Sequence, residues 1–165
     1  MDPEEVVLRP SVPEDAEFLF QVYASTRQEE LAQVPWSEEE KEAFLRMQSH
    51  AQHTHYRNHY ADVDYLVIER DGTPIGRLYV QRSAEEIILM DIALLPRMRG
   101  QGLGTRLIRA LLEEADRTGK MMSLYVEQFN PAMRLYTRMG FTRIKEEGVY
   151  WRMERQPQEA AAADA

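Results

Sequence analysis

The run Arg99-Gly100-Gln101-Gly102-Leu103-Gly104 constrains this chain most, because it joins an apolar strand, Ile87 to Leu95, to an amphipathic helix starting near Leu103. Glycines at alternate positions let the backbone approach a ligand closely and leave amide N–H groups unblocked. A helix N-terminus directly behind them adds unpaired donors and a partial positive charge. Together these predict a seat for an anion, a phosphate or pyrophosphate. A plain turn needs only one or two glycines, whereas this loop carries three, flanked by Arg97 and Arg99.

Two other phosphate loops fit less well. A Walker-type loop requires Lys after its last glycine, and no lysine follows any glycine here. Gly102-Leu103-Gly104 could begin a dinucleotide fingerprint, with Glu127 ending the next strand. Its third glycine position, however, holds Leu107, and the incoming strand follows a hairpin rather than opening a βαβ unit.

Composition narrows the function classes. The 165 residues contain no cysteine, which excludes disulfides, thiolate metal sites and a cysteine acyl-enzyme. The net charge of −8 argues against nucleic acid as a partner and is compatible with a cationic acceptor such as an amine. No apolar run is long enough to span a bilayer and Met1-Asp2-Pro3-Glu4-Glu5 lacks a signal peptide's character, so no membrane partner and a cytoplasmic location are expected.

The pattern along the chain predicts one domain over residues 1–155 and a disordered, Ala-rich acidic tail over 156–165. Val6, Leu8 and Pro10 open a short edge strand. Ser11 is the expected cap of a helix from about Pro13 to Ser25 that presents Phe18, Leu19 and Val22. After a loop containing Pro35-Trp36, Ser37 and Glu40 form a capping box for a helix reaching Tyr60. Strands follow at Tyr65 to Arg70 and Ile75 to Gln81, joined through Asp71-Gly72. Leu107, Ala110, Leu111 and Ala115 mark the inner face of the helix from Leu103 to Arg117, which Gly119 ends. A strand over Met121 to Glu127, a helix over Ala132 to Met139 and a hairpin of Phe141 to Lys145 with Val149 to Glu154 complete the chain. The fold class is α+β, a mixed, mostly antiparallel sheet flanked by helices with one parallel crossover pair.

Arg99, Gly102 and Gly104 fill the pattern [RQ]-x-x-G-x-[GA], and Asn130-Pro131-Ala132-Met133-Arg134-Leu135-Tyr136-Thr137-Arg138-Met139-Gly140-Phe141 resembles N-x-A-x-x-L-Y-x-x-x-G-F. In this order the motifs resemble the GNAT superfamily of N-acetyltransferases over roughly Val6 to Glu154. The resemblance implies an acyl-CoA N-acyltransferase fold with acetyl-CoA as cosubstrate. It implies an amine acceptor, small molecule or peptide, and leaves a homodimer open. The expected activity is direct transfer of acetyl to a primary amine. The rivals are a catalytically idle acyl-CoA-binding module and a transferase of longer acyl groups.

Roles follow position by position. Arg99, Gly100, Gln101, Gly102, Leu103, Gly104 and Thr105 are expected at the coenzyme's phosphates. By resemblance, the backbone of Ile92, Ala93 and Leu94 pairs with the pantetheine arm, and Asn130 contacts that arm or merely caps its helix. Tyr136 is the expected general acid for the departing thiolate, a role that a phenol of pKa near ~10 suits. Relatives carry a base where this chain has Tyr125. Asp91 and Glu86 are therefore the alternatives, and Asp91 stands out because a carboxylate inside an apolar strand needs a partner or a wet cleft. His50, His53, His55 and His59 crowd one helix, but at about 100° per residue only His55 and His59 share a side, too few ligands for a metal site. His55 shares the stripe of Phe44, Met47 and Ala51, so it is expected to face inward and contact the acceptor with Trp36 and Tyr56.

Overall fold

The first ordered segment depends on a carboxylate rather than on the serine expected to cap it. In the computed structural model, which describes residues 5–159, β1 (Val7–Pro10) is followed by a 3-10 turn, Pro13–Asp15, and α1 (Ala16–Ser25). Ser11 uses its backbone N–H to bond Tyr65 O at 2.8 Å. The turn is held by Asp15, whose Oδ2 accepts the Val12 N–H at 2.8 Å while its two oxygens receive Nη1 and Nη2 of Arg9, each at 2.8 Å. The bond from Arg9, then the bond from Val12, holds the Asp15 carboxyl down at about 2, against the opposing effect of burial.

A pH signature follows. Asp15→Asn is expected to lower stability at neutral pH, with the deficit vanishing on acidification. The wild-type advantage is complete above the ordinary carboxyl value of 3.8 and is lost as pH falls through the folded value of about 2. Equilibrium denaturation of both proteins across that window checks this, and a pH-independent deficit would assign the loss to packing.

Next come α2 (Gln28–Ala32), a short helix that the Pro35-Trp36 loop reading missed, and α3 (Glu38–His59). The α3 capping box forms as expected, with Ser37 Oγ accepting the Glu40 N–H at 3.1 Å and Glu40 Oε1 accepting the Ser37 N–H at 3.1 Å. Phe20 and Tyr23 of α1 pack with Leu31 and Leu45, and Phe44 and Val34 close the edge of this cluster.

β2 (Val63–Arg70) and β3 (Thr73–Arg82) join through Asp71 and Gly72 at φ 52° and 76°, the left-handed pair that a two-residue hairpin demands. β4 (Glu86–Leu94), α4 (Leu103–Thr118), β5 (Met121–Glu127), α5 (Ala132–Arg138), β6 (Thr142–Glu147) and β7 (Tyr150–Arg155) complete the described residues. The seven strands form one mixed sheet in the order β1-β2-β3-β4-β5-β7-β6, flanked by helices. β1 pairs antiparallel with β2, and β7 pairs antiparallel with both β5 and β6. β4 and β5 are the parallel pair, in register from Glu86↔Met121 to Leu89↔Leu124.

The chain divides into two units, Met1–Tyr79 with Asp91–Gly104 and Val80–Met90 with Thr105–Ala165. In the second, α4 buries Leu107, Ile108, Leu111, Leu112 and Ala115, while Ala110, expected inside, is exposed. Arg82 and Arg155 brace α4 through Glu114 at 2.5 Å and Asp116 at 2.8 Å. Gly119, at φ 68°, ends the helix, and the Lys120 N–H reaches back to Ala115 O at 2.8 Å. Gln158 donates its backbone N–H to Asp116; residues 160–165, the rest of the expected tail, lie outside the described residues. No described helix is long and apolar enough to cross a membrane.

Candidate active site

The loop between β4 and α4 shows why each glycine is there. Gly100 and Gly102 lie at φ 76° and 79°, where a side chain is strained. Gly104 has no such constraint, and a Cβ there would meet nothing within 4 Å. Gly104 is the second residue of α4, and neither backbone angle nor packing requires glycine there. Leu103, 2% exposed, anchors the start of the helix, and Thr105 stands half-buried on its first turn.

Arg99 does not simply project toward an anion. Its Nε donates to Leu94 O at 2.9 Å and its Nη2 to Ser25 Oγ at 3.2 Å, tying the loop to the end of β4 and to α1. Gln101 donates to Arg97 O at 3.3 Å and accepts from Arg70 at 3.4 Å. Beside the end of β4, a Cβ on Gly76 would come within 2.4 Å of Ala93 O, so only glycine lets β3 pass there. Ile92 and Ala93 are half-buried and Leu94 is buried.

The partner that Asp91 needs is Arg77. Arg77 Nε donates to Asp91 Oδ2 at 2.5 Å and Nη2 to Gln52 Oε1 at 3.1 Å, and the guanidinium lies 4.8 Å from the centre of the Tyr79 ring. Burial opposes the charge of Arg77 most, but Asp91, Tyr79 and Tyr56 together hold the guanidinium above its ordinary pKa. Arg77 also lines a cavity of about 320 Å³ whose walls include Phe20, Gln52, His53, Tyr56, Tyr65 and Tyr79. Tyr79 packs edge-on against Tyr56 and Tyr65, and burial pushes the phenols of Tyr65 and Tyr79 upward. Burial, then the charge of Arg57, lowers the pKa of His53.

Of the three acceptor candidates, only Tyr56 lines this cavity. Trp36, 40% exposed, packs edge-on against Phe44. His55 is exposed and stacks on His59 at 4.2 Å, which corrects the expectation that it faces inward. The helix turns Leu45, Ser49, Gln52 and Tyr56 inward instead, while Met47 is 62% exposed. Among the described residues no group of three or more His, Asp or Glu could hold a metal ion. Arg77, Gln52, Tyr65 and Tyr79 were missed; an arginine within the apolar run of β3 was the available signal.

In the second unit, Asn130, one residue before the Pro131 cap of α5, accepts the Ala132 N–H on Oδ1 at 2.8 Å in an Asx-type turn. Half-buried Tyr136 sets its ring edge-on to Phe141 at 5.9 Å. Glu86 is engaged by Ser123 Oγ and by Arg152 at 3.0 Å, and Tyr125 is 43% exposed beside the same arginine.

Solved structures share this fold. PaiA N-acetyltransferase from Thermoplasma acidophilum, in complex with coenzyme A, matches with a TM-score of 0.67 over 92% of this chain and 99% of its own, at 22% identity. The ribosomal-protein-S18-alanine N-acetyltransferase from Escherichia coli matches with a TM-score of 0.63 over 94% and 96%, at 19% identity. The architecture is thus that of the N-acetyltransferases. Residues 22–141 match the Acetyltransferase (GNAT) family. A Bacillus subtilis (strain 168) relative, provisionally assigned as a ribosomal protein bS18-alanine N-acetyltransferase, is 31% identical over 129 residues, 77% of this chain and 74% of its own. The chain belongs to the GNAT acetyltransferase family and is an acyl-CoA-dependent N-acetyltransferase.

Proposed function

We propose that this protein transfers acetyl from acetyl-CoA to a primary amine by direct attack in a ternary complex. The observation that carries the coenzyme assignment is Gly104, a helical glycine that neither dihedral strain nor packing requires. In this reading the amides of Gly102 to Thr105 hold the pyrophosphate, and the backbone of Ile92, Ala93 and Leu94 pairs with the pantetheine arm. A strand amide there stabilises the charge that develops on the thioester oxygen. Tyr136 gives its proton to the departing thiolate, and Asn130 supports the arm with the groups its turn leaves over. With no cysteine in the chain, the amine itself attacks the thioester carbon.

The acceptor enters the cavity walled by Tyr56, Tyr65 and Tyr79. Arg77 lines that cavity and holds Asp91, which directly precedes Ile92 on β4. Asp91 takes the ammonium proton through water, and Arg77 fixes its position. Because the Escherichia coli neighbour is a ribosomal-protein-S18-alanine N-acetyltransferase and the Bacillus subtilis relative is provisionally assigned the same activity, a peptide with an N-terminal alanine joins lysine, polyamines and free amino acids in the test panel.

The test is thiol release from acetyl-CoA over that panel, with the product identified by mass spectrometry. Acceptor-dependent release with an N-acetylated product is the expected result. Coenzyme binding with no release for any amine would leave an idle binding module, and release only from longer acyl-CoAs would reassign the donor.

A further inference from the structure

Arg70 closes β2 immediately before the Asp71-Gly72 turn, and its guanidinium reaches the glycine loop. Nη1 donates to Gln101 Oε1 at 3.4 Å, a long contact to a neutral acceptor. Nε is shielded from solvent and has no hydrogen-bond partner among the described residues. No described carboxylate lies within ion-pair distance of it. Arg9, Arg46, Arg77, Arg82, Arg152 and Arg155 each pair with Asp or Glu. Arg70 instead spends its charge beside the glycine loop on a neutral amide oxygen.

We infer that Arg70 is a phosphate ligand of the coenzyme, completing the glycine loop with a side-chain cation delivered from the β2–β3 hairpin. The inference rests on the proposed use of that loop for acetyl-CoA. A guanidinium offers several coplanar donors, and a phosphate accepts two of them with charge assistance that the amide of Gln101 lacks. Gln101 remains held through its other end by Arg97 O, so Arg70 can change acceptor without releasing the loop. Arg97 is exposed on the same loop.

The test is calorimetric titration of wild type, Arg70→Gln and Arg70→Lys with CoA, dephospho-CoA and pantetheine, with melting curves for each protein. Arg70→Gln is expected to weaken CoA about tenfold, as loss of one charge-assisted bond does, and to leave pantetheine unaffected. Arg70→Lys should recover part of the affinity. If dephospho-CoA is insensitive to the substitution, the ligand is the 3′-phosphate; if it weakens equally, the ligand is the pyrophosphate. Unchanged CoA affinity in a folded Arg70→Gln protein, or equal loss for pantetheine, overturns the inference. Absence of CoA binding by the wild type would instead overturn the coenzyme reading of the loop.

Discussion

Gly102→Asp is expected to weaken acetyl-CoA binding at least about 100-fold while the protein remains folded. Aspartate tolerates the left-handed backbone better than most residues, and a Cβ at Gly102 meets nothing within 4 Å. In the proposed reading, however, its carboxylate would stand where the coenzyme's phosphates sit. Two unit charges about 4 Å apart repel by about 4 kcal/mol at an effective dielectric near 20. Even with a third of that screened away, roughly 2.7 kcal/mol remains, which is a hundredfold. Titration calorimetry with a parallel melting curve decides the matter. Wild-type affinity in the variant would remove the loop from the coenzyme site.

Tyr136→Phe is expected to lower kcat about 100-fold or more and to leave coenzyme affinity near wild type, because a positioned general acid contributes roughly 10² to 10⁴. Phenylalanine preserves the edge-on contact with Phe141, so the substitution removes the hydroxyl and little else. Equal losses in kcat and affinity would make Tyr136 a binding residue. Unaltered turnover would pass the proton to water or to another group.

What the sequence disclosed and what it hid separate by range. The glycine loop, the Ser37–Glu40 box and the Asp71-Gly72 turn were legible because each is fixed by residues within one turn of each other. The inward face of α3 was not, since Ser49 and Gln52 face the cavity and lend no apolar signal, while exposed Met47 supplies a false one. A stripe read through Met47 therefore put His55 inside. Asp91 was legible as a carboxylate in need of a partner, but not that partner: Arg77 lies on a neighbouring strand and serves Gln52 as well. Asp15 displaced Ser11 for a similar reason, because Arg9 reaches across the turn to hold it.

The bond from Arg99 to Leu94 O gives the first position of the loop pattern a mechanical meaning. Arginine and glutamine, the two residues that pattern admits, share no charge but both offer an N–H on a long stem. The common requirement is a strut between loop and strand, which in the proposed reading spaces the two backbones before the coenzyme arrives. One lone pair of the Leu94 carbonyl is occupied by that strut, which in the proposed reading shifts the burden of recognising the pantetheine amides toward Ile92 and Ala93. A residue that reads as an electrostatic anchor thus also braces the loop against the strand and α1.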